Sequence, residues 1–262
     1  MNKDNWLKQF GHLLDQEGVF LKGIEKIKAA EKYYETQETL FCSPDIAFGL
    51  EHILKASSEL HYIKWGGYQG AERVKFLITP DFLEPKTEQF SFAALEFTFA
   101  SKYYTVEHRD VLGALMGLGI NRDRTGDILI FESCFIIFLE SDLCDYVLMS
   151  FEKVGRASVK GCLKEIAEIQ EIERPVKETY DTVKSLRLDA VIASFYNLSR
   201  SEAQKLVQSE KVKVNYRPII ATSYELSEGD LISVRGFGRF TLSSVEGVTK
   251  KARIRIRFTS PV

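Results

Sequence analysis

Cationic residues near the end of the chain offer the chemistry most open to reading, which is the binding of anions. From Asp181 to Val262 there are 14 Lys and Arg against 8 Asp and Glu, a balance of +6. The whole chain has 35 against 37, so residues 1–180 hold 21 against 29, or −8. A near-neutral total therefore conceals a basic end on an acidic body. Clustered positive charge is the footprint expected of a phosphate-backbone binder. In Lys250-Lys251-Ala252-Arg253-Ile254-Arg255-Ile256-Arg257-Phe258 a period of two puts Arg253, Arg255 and Arg257 on one face of a strand. Those three like charges either track phosphates or decorate a solvated edge strand. In Arg235-Gly236-Phe237-Gly238-Arg239-Phe240 two glycines either present the Phe237 ring for stacking between Arg235 and Arg239, or form a β-bulge.

The elements that would hold these residues can be read around them. Leu188, Val191, Ile192 and Phe195 fall at i, i+3, i+4 and i+7, a helix with one apolar stripe and Arg187 at its start. Ser199 and Glu202 make a capping-box pattern for a second helix. Its Ala203, Leu206 and Val207 face inward; Arg200, Gln204, Lys205 and Gln208 face outward. The cap alone explains Ser199, and helix-start amides beside a basic side chain also hold phosphate oxygens. Val212 and Val214 alternate with Lys211 and Lys213 in a short strand, followed by turns at Asn215-Tyr216 and Glu228-Gly229-Asp230.

Upstream, residues 1–57 read as helices. Trp6, Phe10, Leu13 and Leu14 recur at helical spacing, a second helix runs from near Gly18 to Tyr34, and Ser43-Pro44 caps a third. Leu60 to Trp65 and Arg73 to Thr79 form two strands around Gly66-Gly67-Tyr68-Gln69-Gly70. That loop lacks the Lys-Ser/Thr ending of a phosphate loop and reads as a hairpin turn. Phe90–Phe99, His108–Leu118, Asp127–Phe131, Phe135–Leu139, Asp142–Val154 and Ala157–Leu163 then give β-α-β-β-α-β, the ferredoxin-like split that RNA-recognition motifs share. The third strand lacks their basic-Gly-aromatic-Gly signature. Glu165, Glu168, Glu171, Glu173 and Pro175 mark an acidic connector. The expected class is α+β in three parts: a helical region with the start of a hairpin over 1–72, a ferredoxin-like (RRM-like) domain over 73–175, and a basic α+β domain over 176–262.

Composition excludes several classes. No apolar run approaches the roughly 20 residues of a membrane span, and the start of the chain has no apolar signal-peptide core, so a cytoplasmic protein without membrane insertion is expected. Cys42, Cys134, Cys144 and Cys162 form no C-x-x-C pair, and the four His complete no zinc spacing. Buried reduced thiols and no metal or cofactor are expected.

The tail from about Asp181 to Val234 resembles the S-four domain, the RNA-binding module named after a small-subunit ribosomal protein. Arg187-Leu188-Asp189, Ser199-Arg200-Ser201-Glu202-Ala203, Val212-Lys213-Val214-Asn215 and Gly229-Asp230 come in its order. The resemblance implies RNA contacts at Arg187, Ser199, Arg200, Ser201, Gln204, Lys205, Lys211, Lys213 and Asn215. The family often has Gly before the strand and Asn-Gly in the turn, where this chain has Glu210-Lys211 and Asn215-Tyr216. The whole chain resembles the YlmH-type bacterial proteins, through His108-Arg109-Asp110, the Gly113–Ile120 segment, Gly126-Asp127-Ile128, the segment from Arg235 to Phe240, and Thr249-Lys250-Lys251. That likeness implies a non-catalytic binder of ribosomal RNA and tRNA on the large ribosomal subunit beside peptidyl-tRNA, acting in ribosome-associated quality control. It also implies links to quality-control or cell-division proteins, with a location on ribosomes or at the division site.

The rival is an RNA-modifying enzyme carrying an appended S-four domain; a division-site scaffold is a third class. The one Arg-Leu-Asp belongs to the tail, unlike that of a pseudouridine synthase. Gly113–Gly119 falls within or ends a helix rather than in a Rossmann turn. Neither His-Ile-Gly-His nor Lys-Met-Ser-Lys-Ser of a tyrosyl-tRNA synthetase occurs. His108-Arg109-Asp110 lacks the Asn a kinase loop needs five residues on, where Leu115 stands. No catalytic residue is assigned. His108, Arg109, Arg122 and Arg124 remain as a second polar patch, for RNA or for structural ion pairing.

Overall fold

The computed structural model describes residues 10–13, 18–169, 176–249 and 251–261. The chain divides into two compact units, Met1–Ile172 and Glu173–Val262.

The first unit begins with helices α1 (Val19–Tyr33) and α2 (Pro44–Lys55). Their apolar stripes, Phe20, Ile24 and Ile27 on α1 and Ile46, Leu50, Ile53 and Leu54 on α2, share one core with Phe10 and Leu13. Trp6 and Leu14 of the expected first helix lie outside the described residues. Ser43 stands at the N-cap of α2 with Pro44 behind it, but its hydroxyl donates to Asp45 Oδ1 (2.5 Å) instead of accepting from a helix amide. A three-stranded antiparallel sheet lies against the helices in the order β1 (Gln37–Glu38), β3 (Lys75–Pro80), β2 (Leu60–Trp65). The hairpin strands that straddle the 72/73 division are thus one sheet, paired from Leu60 with Pro80 to Trp65 with Lys75.

The Gly-rich loop between those strands is internal structure. Asp127 accepts from Tyr68 Oη (2.7 Å), Glu72 N (2.7 Å) and Arg73 N (3.2 Å). A carboxylate of the chain itself therefore sits where a phosphate loop would hold its ligand. Gly67 has φ +98° and packs so close to the Phe138 ring that there is no room for a Cβ.

The ferredoxin-like order follows: β4 (Phe92–Phe99), α3 (His108–Gly117), β5 (Thr125–Ile130), β6 (Cys134–Glu140), α4 (Cys144–Ser150), β7 (Lys153–Val154) and β8 (Ala157–Lys164). The antiparallel sheet runs β5-β6-β4-β8-β7. One face packs on α3 and α4 through Leu95, Phe97, Phe135, Ile137, Val111, Leu115 and Val147. The other packs Phe92, Ala94, Ile136 and Phe138 against Phe41 and Tyr68 of the preceding segment. RNA-recognition motifs stack bases on their open sheet face; here Phe41 and Tyr68 cover part of that face, while Thr98, Lys160 and Cys162 on it stay exposed. The expected helix over Asp142–Val154 is shorter, because Phe151 leaves helical geometry (ψ 76°) and Val154 is buried in a tight hairpin around Gly155. Burial raises the thiol of Cys42 to about 12, and Cys144 is also buried. Contrary to expectation, Cys134 is only half-buried and Cys162 is exposed.

The second unit holds helices α5 (Leu188–Phe195) and α6 (Arg200–Gln208) against a six-stranded antiparallel sheet. The sheet order is β11 (Arg217–Pro218), β10 (Val212–Val214), β12 (Leu231–Val234), β13 (Gly238–Val248), β14 (Ile254–Pro261), β9 (Val176–Val183). Val191, Ile192, Ala203 and Val207 from the helices meet Val212, Ile232, Phe240, Ile256 and Phe258 from the sheet. Strand β9 falls where the sequence offered no signal: seven of its eight side chains lie outside the core, so it shows no alternation. Of the acidic connector, Glu171, Glu173 and Pro175 lie outside the described residues.

Candidate nucleic-acid interface

Helices α5 and α6 are locked by one carboxylate. Asp189 is wholly buried yet charged, and two guanidinium groups converge on it. Arg187 donates through Nε to Oδ1 and through Nη2 to Oδ2, both at 3.2 Å. Arg200 donates through Nε to Oδ2 (3.1 Å) and through Nη2 to Oδ1 (3.0 Å), and Gln204 Nε2 adds a bond to Oδ2 (2.8 Å). Burial alone would raise the Asp189 pKa; the bonds from Arg187, Gln204 and Arg200 overcome it and hold the carboxyl at about 2. Two cations share one anion, so the knot keeps a positive charge. Each guanidinium uses two of its five N–H groups on Asp189, and their side chains stay 38% and 47% exposed. Arg187 and Arg200 are therefore held rigid with edges still turned to solvent. Gln204 is occupied by Asp189.

Two other expected RNA contacts serve the fold. Ser199 Oγ accepts from Glu202 N (3.3 Å) and Glu202 Oε2 accepts from Ser199 N (2.8 Å), a complete capping box. The cap occupies the Ser199 and Glu202 amides. Ser201 is exposed beside them. Asn215 is a latch: its Nδ2 donates to Asp230 Oδ1 (2.7 Å) and its Oδ1 accepts from Leu231 N (2.9 Å), while Asp230 Oδ2 accepts from Ser227 N (2.8 Å). Asn215 and Tyr216 both take positive φ (47° and 67°), the two-residue turn that joins β10 to β11 despite the missing glycine.

The remaining cations gather on the outer face of the sheet. Val212, Val214, Ile232, Val234 and Phe240 point to the core, so Lys213, Ser233 and Arg239, which alternate with them, point away. Lys213 is registered with Ser233, and Ser233 with Arg239, so the three form one row across β10, β12 and β13. A groove of about 570 Å³ opens there, lined by Lys211, Lys213, Arg235 and Arg239 with Glu210 as its one acid. The Arg235 amide donates to Lys211 O (2.8 Å), tying the two ends of the groove wall together. Lys205, Lys211, Lys213 and Arg235 make no ion pair among the described residues. An adjoining slot of about 350 Å³ is lined by Leu198, Glu202, Lys205, Leu206, Ser209, Lys211 and Phe237.

The arginines around β14 do not form the free face expected of them. Arg253 donates to the Thr182 hydroxyl (2.9 Å) and carbonyl. Arg257 pairs with Glu178 (3.3 Å) and Glu246 (3.7 Å) and donates to Ser244 Oγ (3.2 Å). Arg255 stays exposed. Pairing of β14 with β9 brings Glu178 beside Arg257, a partner 79 residues away in sequence. Lys251 is exposed, and Lys250 lies outside the described residues.

In the first unit, three cations of the second polar patch, Arg122, Arg124 and Arg109, find partners within the chain. Arg122 Nη1 donates to Thr125 O (3.0 Å), Thr125 Oγ1 (2.6 Å) and Gly126 O (2.7 Å), and burial lowers its pKa to about 10. Arg124 Nη2 sits 2.6 Å from both oxygens of Asp142, and Arg109 pairs with Glu107 (3.0 Å). Burial, and then the charge of Arg122, lower the His108 pKa. Arg73, not singled out in the sequence, donates to the carbonyls of Thr125, Phe41 and Arg122 and is the hub of this region. Lys75, 2% exposed between Glu38 (2.7 Å) and Glu140 (2.8 Å), was equally silent. Both lie in strand-like sequence where a single cation gives no local signal.

Comparison with known proteins matches three family models along the chain: "YlmH, N-terminal" over residues 16–83, "Putative RNA-binding domain in YlmH" over 85–168 and "S4 domain" over 186–232. A Bacillus subtilis (strain 168) protein named "Ribosome-associated protein quality control protein P2" is 33% identical over 250 residues, covering 95% of this chain and 97% of that protein. The solved structure titled "Cell division protein ylmH from Streptococcus pneumoniae" is similar at 28% identity with a TM-score of 0.50, over 59% of this chain and 94% of that one.

Proposed function

Since this chain belongs to the YlmH family of S4-domain proteins, we propose that it is a non-catalytic cytoplasmic adaptor that binds structured ribosomal RNA and tRNA. The site of action in this reading is the large ribosomal subunit beside peptidyl-tRNA, in ribosome-associated quality control. The observation that carries it is the row of cations on the outer sheet face of the second unit. Lys211, Lys213, Arg235 and Arg239 surround one groove that holds a single acid, Glu210. The Asp189 knot adds Arg187 and Arg200 as rigid donors with free edges. Preordered guanidinium groups lose little freedom when they meet phosphate oxygens. The name of the Bacillus subtilis relative supports the ribosomal setting, and the RNA-binding and S4 family matches support RNA as the polyanion. A second anchoring point in the first unit would raise effective concentration without any single tight contact.

The test is the salt dependence of binding to ribosomal RNA fragments and to tRNA by the full chain. The logarithm of affinity should fall against that of salt by about 0.7 to 0.9 for each phosphate neutralised. A flat dependence would exclude the groove as a phosphate site. Mass spectrometry of ribosomal RNA and tRNA from a deletion strain separates the adaptor from a modifying enzyme: a lost modification would replace this reading with catalysis.

A further inference from the structure

We propose that the slot beside the groove receives one unpaired nucleobase, stacked on Phe237, while the groove holds the phosphates that flank it; this rests on the RNA-binding reading above. Phe237 sits at the tip of the β12–β13 hairpin. Gly236 and Gly238 on either side take φ +87° and +104°, and Phe237 N donates to Val234 O (2.9 Å), so the backbone fixes the ring at the apex. The ring remains 46% exposed. It rests against Tyr196 (centroids 5.2 Å apart), which is braced in turn by Phe195 at 4.9 Å and Phe240 at 5.7 Å. An exposed aromatic ring with a rigid aromatic backing is a stacking platform rather than a mobile surface side chain.

The walls of the slot divide a nucleotide into its two chemistries. Leu198 and Leu206 face Phe237 and suit a flat heteroaromatic ring. Glu202 lines the same slot, and hydrogen bonds from Ser199 lower its pKa and keep it charged, so a phosphate is disfavoured inside. Lys211 lines both cavities and is the bridge by which a base on one side remains joined to an anion on the other. Lys205 also lines the slot. A base inside a duplex is stacked on both faces and cannot enter, whereas a bulged or looped-out base can. The preferred partner is therefore RNA with an unpaired nucleotide next to a stem, and not continuous duplex.

Two RNA hairpins of equal length, one fully paired and one with a single bulged 5-iodouridine, test this with the full chain. Base–aromatic stacking predicts that the bulged RNA binds about 5- to 100-fold tighter. Light-driven crosslinking should place the iodouridine on Phe237. Phe237→Ala and Phe237→Leu should abolish the preference and leave the salt slope unchanged, while Phe237→Trp keeps both. Leu preserves bulk, so its result stands even if Ala disturbs the hairpin. Equal affinity for the two RNAs, or a crosslink elsewhere, overturns the stacking site. If salt-dependent binding persists in that case, the phosphate groove survives without it; if wild-type binding is insensitive to salt, the RNA-binding reading itself fails.

Discussion

Arginines of the first unit and those of the Asp189 knot in the second do opposite work. In the first, Arg73 and Arg122 are sunk among backbone carbonyls and Arg124 faces Asp142, so each cation is matched by acceptors from its own chain. In the second, Arg187 and Arg200 share a single carboxylate, and Lys211, Lys213 and Arg235 have no acidic partner among the described residues. Residue type alone therefore does not mark a polyanion site. What marks it is a local excess of cations over the acceptors that the fold brings within reach.

The sharpest break in the comparison is Asp189, where structure and charge meet. Asp189→Ala would leave two guanidinium groups adjacent and unmatched. Because both are partly solvated, the cost falls below that of a fully buried pair, at about 2–3 kcal/mol. A drop of roughly 10 °C or more in the thermal transition of the second unit is expected; an unchanged transition would show that the knot is not structural. Acid should act through the same group. Its folded pKa of about 2 lies below the unfolded value of about 3.9, so its contribution is present above pH ~4 and disappears as pH falls towards 2. The contribution amounts to about 2–3 kcal/mol, and acid titration of stability in the wild type against Asp189→Asn measures it.

The next contrast sets the groove against the buried arginines. Lys211→Ala, Lys213→Ala and Arg235→Ala combined should lower RNA affinity about 10- to 100-fold and reduce the salt slope by about 2–3. Stability should move by no more than about 0.5 kcal/mol per site, since none of the three is in an ion pair. Arg122→Ala should do the reverse. It removes the donor to three acceptors and should cost about 2 kcal/mol in the first unit, with the salt slope of RNA binding retained. If the two variants behave alike, the distinction between matched and unmatched cations fails.

What the sequence displayed of this arrangement was what is local. The α5 stripe, the capping box of Ser199 with Glu202, the β-α-β-β-α-β order and the motif around Arg187-Leu188-Asp189 all arise from residues a few positions apart. Charge counting located the basic end but not which cations are free, because neutralisation is three-dimensional. Glu178 reaches Arg257 only through the β9–β14 pairing, and Arg73 meets Thr125 across 52 positions. The covered part of the ferredoxin-like sheet face was hidden for the same reason, since Phe41 and Tyr68 read as ordinary apolar residues until the fold lays them on Phe92 and Phe138.

The smallest effect tests the same principle within one strand. Arg255 and Arg257 have the same residue type, the same parity on β14 and neighbouring positions, so sequence treats them as equivalent. The fold does not: Arg257 has Glu178, Glu246 and Ser244 as partners, and Arg255 stands opposite Thr182 with its side chain in solvent. If β14 touches RNA at all, Arg255→Ala should reduce the salt slope by about 0.7 to 0.9 and Arg257→Ala by much less. Arg257→Ala should instead lower stability slightly, by about 0.5 kcal/mol, as expected for a partly exposed ion pair. Equal slopes for the two variants would mean that RNA displaces the Glu178 and Glu246 contacts, and that unmatched charge in the free protein is not the quantity that selects the site. Two unchanged slopes would confine the interface to the groove and the Asp189 knot, leaving the charged alternation of β14 as the solvated face of a strand.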